Sequence, residues 1–159
     1  MKGNEKLLTV LNSLLADELT AINQYMVHSE MCENWGYSKL HMAIRKRAMD
    51  EMHHAEWLIE RIIFFDSSPT VSKLNTIKIG KTVSEMISND DKDELEAVRA
   101  YNAAIKLAHE VDDQGTVDLL IKILKMEEGH VDWAEIQRAQ IEQMGMENYL
   151  VNQTESPAS

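Results

Sequence analysis

The sequence predicts an all-α fold, four long helices in a bundle with a short fifth helix, and three observations carry that prediction. Glycine and proline are scarce, 6 and 2 in 159 residues, in a chain rich in Leu, Ala, Glu, Met and Lys, which favours long helices over sheet. Apolar residues recur at helical spacing through four long stretches. The chain also repeats itself. An offset of 76 residues carries Glu18 onto Glu94, Leu19 onto Leu95, Ala21 onto Ala97, Tyr25 onto Tyr101, Glu51 onto Glu127, His54 onto His130 and Trp57 onto Trp133. Two related helical hairpins account for that register.

The first helix spans residues 4–34, with Leu7, Leu11, Leu14, Leu15, Ile22 and Tyr25 on one face; Glu18, an acid inside that apolar stripe, is the anomaly. Trp35-Gly36-Tyr37-Ser38 closes it with a glycine and offers Ser38 as N-cap of a second helix, residues 39–65. Asp66-Ser67-Ser68-Pro69 then breaks the pattern, and residues 66–82 show no helical period. That stretch is far longer than an antiparallel turn needs and suits a crossover along the bundle, leaving the third helix parallel to the second. The third helix covers residues 83–111 and turns Met86, Ile87, Leu95 and Tyr101 inward, again with an acid, Glu94, among them. A short turn leads to a fourth helix, residues 116–144; Gly145 ends it, and residues 146–150 form the short fifth. The length suits one domain, residues 1–152, with a frayed tail over 153–159.

A net charge of −11 argues against a nucleic-acid partner and suits the attraction of cations. The single Cys32 excludes an internal disulfide framework, fits a reducing cytoplasm and reads as a buried small hydrophobe. The first residues carry no secretory leader pattern, and no apolar run reaches the 18 or so residues of a membrane span. A soluble cytoplasmic protein is expected.

Chemistry concentrates in the repeat. Glu51 and His54 stand three apart, about 300° of helical rotation and roughly 4.5 Å along the axis, so both reach one point; Glu127 and His130 do the same. Each pair follows a lone glutamate, Glu18 or Glu94, by the same interval. Four carboxylates buried together cannot all stay bare anions, whereas two divalent cations and two neutral imidazoles make a near-neutral centre. Each metal would take one lone glutamate and one histidine, with Glu51 and Glu127 bridging. The ligand set fits iron first and manganese second, and zinc could occupy it without redox chemistry.

The motifs Leu15-x-x-Glu18-Leu19-x-Ala21-Ile22-Asn23-Gln24-Tyr25, Asn34-Trp35-Gly36, Asp50-Glu51-Met52-x-His54-Ala55 and Glu127-Glu128-Gly129-His130-x-Asp132-Trp133 resemble those of the bacterioferritins, over nearly the whole chain. The resemblance implies a ferritin-like four-helix bundle with a diiron centre on Glu18, Glu51, His54, Glu94, Glu127 and His130. It implies a ferroxidase that oxidises Fe2+ with O2 or H2O2 and stores ferric mineral inside a hollow shell of 24 chains, a homo-oligomer built from haem-bridged dimers. Haem b would be shared between two chains and held by Met52 of each, and a small ferredoxin-type reductase would be the partner for iron release. Tyr25 resembles a family residue that supplies an electron beside the diiron centre, with Tyr101 its repeat mate, and Asp50 resembles an inner-surface position in iron traffic. One departure stands next to it: Lys46 and Arg47 replace a histidine and a carboxylate common in the family, and two cations there are expected to repel inner-surface iron. Two other readings keep part of this picture. One is a rubrerythrin-like diiron peroxidase without storage, although Cys32 alone cannot build the cysteine-rich iron domain such proteins usually add. The other is a non-catalytic haem-binding subunit of the shell.

Overall fold

The computed structural model describes residues 1–154, which form α1 (Glu5–Asn34), α2 (Ser38–Phe64), α3 (Val83–Glu110), α4 (Gln114–Met144) and α5 (Met146–Val151). The helices start where side chains can satisfy orphan amides. Asn4 accepts from Leu7 N, Thr82 from Glu85 N and Asp113 from Thr116 N, at α1, α3 and α4 respectively. The α2 start differs from the sequence expectation. Ser38 is already the first helical residue, and Tyr37 before it makes no side-chain cap. The carbonyl of Gln153 does that job instead, accepting from Lys39 N at 3.0 Å. Gln153, at the start of the expected tail, thus touches α2, and residues 155–159 of that tail lie outside the described residues.

Gly36, at φ 81°, makes the tight α1–α2 turn in a backbone region that only glycine enters freely. α1 packs along α2 and α3 along α4, and the two hairpins meet through α1 against α3 and α2 against α4. The expected crossover runs along α1, held by a row of side chains on one α1 face. Asn12 Oδ1 accepts from Thr70 N, Thr20 Oγ1 from Asn75 N, Gln24 Oε1 from Lys78 N and His28 Nε2 from Gly80 N, at 2.8–3.0 Å. Those acceptors lie at multiples of four along the helix, so the strap is laced to a single stripe and delivers the chain to the far end of the bundle. Gly80 must be glycine there: a Cβ would come within 2.5 Å of Met86 N.

Apolar side chains gather in two clusters. One is centred on Leu11, Leu15, Leu58, Ile62, Leu120 and Ile123, and the other on Tyr25, Cys32, Leu40, Ile44, Met86 and Tyr149. Cys32 is buried, as expected, with Sγ 4.0 Å from Met86 Sδ. Among the described residues no helix is long and apolar enough to cross a membrane.

Candidate metal centre

Between those clusters the bundle interior turns polar. Glu18 on α1, Glu51 and His54 on α2, Glu94 on α3, and Glu127 and His130 on α4 are all buried, the four carboxylates at 2 % exposure or less. Two interlocked groups result: Glu18, Glu51, His54 and Glu127 bring one ligand atom each within 4.8 Å of the others, and so do Glu51, Glu94, Glu127 and His130. Glu51 and Glu127 belong to both.

The contacts are close yet poorly directed for hydrogen bonding. His54 Nδ1 lies 2.8 Å from Glu127 Oε1 and 3.4 Å from Glu18 Oε2; His130 Nδ1 lies 2.9 Å from Glu51 Oε1 and 3.3 Å from Glu94 Oε1. Still, Glu18 Oε2, Glu51 Oε1, both Glu127 oxygens and both histidine Nδ1 atoms lack a hydrogen-bond partner of good geometry among the described residues. Buried polar atoms are rarely left so, and here their lone pairs aim at shared points rather than at one another. The donor set and its convergence fit a pair of divalent cations.

Electrostatics say the same. Burial, and then Glu51 beside it, holds the Glu18 carboxyl well above the ordinary range; burial and Glu127 raise Glu94. Burial and Glu18 push Glu127 up as well, but its contacts with Glu94, His130 and His54 prevail and hold it at about 2. Burial pulls both imidazoles down, and the surrounding carboxylates overcome it, pushing His54 up to about 12 and raising His130 likewise. Protons on these groups neutralise the cluster, and a metal cation competes for the same lone pairs.

Outside the ligand atoms the repeat is completed crosswise. Tyr25 from the first hairpin donates its hydroxyl to Glu94 Oε1 in the second, and Tyr101 from the second donates to Glu18 Oε1 in the first, the latter at 2.6 Å. Burial, and then the adjacent glutamate, keeps both phenols well above their usual pKa, so both remain donors. His130 Nε2 is 3.1 Å from Asp50 Oδ2, which places a proton on Nε2 and turns Nδ1 to the carboxylates. His54 has the equivalent arrangement with Met126, whose Sδ lies 3.3 Å from Nε2.

A cavity of about 490 Å3 joins this centre to the surface, with Glu18, Glu51, Glu94 and Glu127 at its inner end and Asp17, Asn75, Lys78, Asp93 and Glu96 toward the crossover. Burial, opposed by a hydrogen bond from Asn75, raises the Asp17 carboxyl, and Glu96 and Asp93 add to the rise.

Residues 8–144 match the family model of the ferritin-like domain. The chain is 41 % identical over 154 residues to "Bacterial ferritin" of Synechocystis sp., covering 96 % of this chain and 99 % of that protein. It is 37 % identical to the "Bacterioferritin" of Mycobacterium leprae over the full length of both. To that of Brucella melitensis it is 36 % identical over 149 residues, covering 94 % of this chain and 92 % of that one. The chain belongs to the bacterioferritin family.

Six residues singled out in the sequence thus meet in one place, with Tyr25 hydrogen-bonded to one of them. Met52, the residue implied as haem ligand by the bacterioferritin resemblance, is half-buried on α2 and takes no part in the cluster. One expectation needs correction. Arg47 is not an inner-surface cation: it is buried at 4 % exposure, its guanidinium packed on the rings of Tyr25 and Trp133 and bonded to Glu94. Asp50 is half-buried against His130, and the exposed Lys46 lies 3.6 Å from it. Sequence reasoning named Tyr101 only as the repeat mate of Tyr25, without its bond to Glu18, and missed the support given by Asp50 and Met126. Those two occupy matching positions of the 76-residue register but are unlike residues, so the repeat did not point to them.

Proposed function

We propose that this chain oxidises Fe2+ at a dinuclear centre and keeps the ferric product as stored iron. The observation that carries the reading is the set of buried, unpaired ligand atoms on Glu18, Glu51, His54, Glu127 and His130, which converge on two adjacent points. Glu18 and His54 hold one ion, Glu94 and His130 the other, and Glu51 and Glu127 reach both. Bound iron supplies the electron chemistry, Fe2+ going to Fe3+ with O2 or H2O2 as acceptor.

The chain's own residues do the rest. Tyr101 and Tyr25 fix one oxygen each of Glu18 and Glu94, Asp50 orients His130, and the cavity beneath the crossover admits the cation past Asp17, Asp93 and Glu96. Tyr25, in contact with Glu94, is the phenol placed to give up an electron and proton when the acceptor demands more than the two irons yield. The family membership and the relatives' names support storage in a shell of many copies, 24 in the reading adopted here. Haem b shared by two chains belongs to the same reading. Met52 would hold it through a soft thioether sulfur, on a half-buried side chain next in sequence to Glu51 and outside the metal cluster.

The test is to load metal-free protein with Fe2+ under anaerobic conditions and mix it with O2 or H2O2, following absorbance against iron per chain. A fast phase saturating at about two irons per chain and a slower phase of mineral growth are expected. A fast phase with no later growth would sink storage in favour of peroxide removal, and the absence of a fast phase would sink the ferroxidase. Replacing Met52 by Leu should abolish haem absorption bands and leave the fast phase.

A further inference from the structure

The repeat that builds the centre is broken at one charged position. Arg47 lies four residues before Glu51, and the 76-residue offset carries it onto Ile123, four before Glu127. Ile123 is fully buried in an apolar cluster. Arg47 is also buried, and its NH2 group donates to Glu94 Oε1 at 3.0 Å and lies 3.5 Å from the Tyr25 hydroxyl. The guanidinium is held on two sides by ring faces, 4.9 Å from the Tyr25 centroid and 4.8 Å from that of Trp133. Its Nε finds no acceptor, so Glu94 is its one carboxylate partner among the described residues.

Glu94 Oε1 consequently faces three groups: the Tyr25 hydroxyl, Arg47 NH2 and, at 3.3 Å, His130 Nδ1. Its counterpart Glu18 has the Tyr101 hydroxyl on Oε1 and His54 Nδ1 3.4 Å from Oε2, with no arginine beside it among the described residues. A cation that approaches Glu18 meets a carboxylate held by a phenol and an imidazole. A cation that approaches Glu94 meets one that also carries a fixed positive charge on Oε1, and that charge cannot be titrated away. That charge also repels the incoming ion across a few ångströms of buried protein, where screening is weak.

We propose that Arg47 makes the two metal positions unequal: the Glu18–His54 position fills first, and Arg47 weakens the Glu94–His130 position so that it fills second. Arg47 is a positioning residue, acting on the metal through Glu94. The inference rests on the dinuclear reading above and adds an order of filling, so that iron meets the acceptor as a pair only once the weaker position is occupied. It also gives Arg47 a reason to be buried beside a carboxylate in one half of a repeat whose other half has isoleucine.

The experiment is a calorimetric titration of the metal-free full-length protein with Zn2+, which has the charge of Fe2+ and no redox chemistry, using a competing chelator for the tighter step. Wild type should take two ions per chain in two resolved steps. Glu94→Ala should remove the weaker step and Glu18→Ala the tighter. Arg47→Gln, or Arg47→Met as the closer match to Ile123, should tighten the weaker step by about tenfold or more and change the tighter one far less. Helical circular dichroism and elution volume certify that each variant folds and assembles. Two equal steps in the wild type overturn the proposal without any variant. Two steps that Arg47→Gln leaves in place, or moves together, overturn it as well, since a merely structural arginine would leave their ratio alone. Fewer than two ions per wild-type chain would overturn the dinuclear reading itself, and the inference with it.

Discussion

The two hairpins supply the same ligands and surround them differently. In the half centred on Glu18 and His54, the backing groups are Tyr101 and Met126, and the repeat mate of Arg47 is the buried, apolar Ile123. Around Glu94 and His130 they are Tyr25, Arg47 and Asp50. The duplicated residues decide where lone pairs converge, because helical geometry puts Glu and His three apart on one face in both hairpins. The residues that are not duplicated decide how much charge each position already holds. A symmetric scaffold thereby gives two positions of different electrostatics without changing a ligand.

The largest expected effect tests whether the halves are separable at all. Glu18→Ala and Glu94→Ala each delete a ligand unique to one position, while Glu51 and Glu127 serve both. Each variant should bind one Zn2+ instead of two at saturation by equilibrium dialysis and lose the fast oxidation phase while still assembling. Loss of both ions from either variant would show that the positions stand or fall together, ending the comparison.

Acidity sharpens it next. With its imidazole raised from an ordinary 6.5 to about 12, His54 contributes stability that is complete below pH 6.5 and is lost as pH climbs toward 12. Glu18, held neutral above its usual range, acts in the same direction, because the folded chain keeps a proton the unfolded chain has released. Glu127, lowered to about 2, acts oppositely but only below pH 4.5. Metal-free protein should therefore melt at lower temperature at pH 8.5 than at pH 6.5, by about 2 kcal/mol of stability from His54. Zn2+ should bind more tightly at the higher pH, with proton release seen as a buffer-dependent heat. A melting temperature that rises with pH would show that the histidines are neutral in the cluster.

Asp50 and Met126 are the mates that back the two histidines. A carboxylate accepting from His130 Nε2 makes its Nδ1 a better donor to metal, whereas a thioether does little for His54, so Asp50 strengthens the position that Arg47 weakens and the arginine's effect must exceed it. Asp50→Asn should weaken one Zn2+ step by about tenfold, and Met126→Leu should change either step much less. Equal losses would place the two backing groups on the same footing and remove one of the two sources of asymmetry.

Much of this was legible in the chain. Helices, crossover and all six converging residues follow from periodicity and the 76-residue register, since both are one-dimensional patterns that a helix converts directly into faces. Arg47 was not legible. A cation one residue from an exposed lysine reads as surface, and only the packing of Tyr25 and Trp133 on its two sides reveals a buried slot. The lacing of the crossover was equally hidden. Asn12, Thr20, Gln24 and His28 bond to backbone amides of residues 70–80, and amides carry no sequence signal. The Gln153 carbonyl on α2 escaped notice for the same reason.

The smallest expected effect comes from the two tyrosines, and it tests Arg47 from the opposite direction. Among the described residues Tyr101 is the one hydrogen-bond donor to Glu18 Oε1, so Tyr101→Phe leaves a buried carboxyl oxygen unsatisfied, a cost of about 1–3 kcal/mol. Tyr25→Phe removes the matching hydroxyl from Glu94 Oε1, but Arg47 NH2 remains there at 3.0 Å and still donates. The phenyl ring also keeps its packing on the guanidinium, so this variant should lose less, about half as much or under. Melting of the two metal-free variants side by side measures the difference, with about 2–4 °C per kcal/mol expected for a chain of this size. Equal losses would mean that Arg47 gives Glu94 no support that Glu18 lacks, and the contrast left between the halves would be that of Asp50, which strengthens the His130 position instead of weakening it.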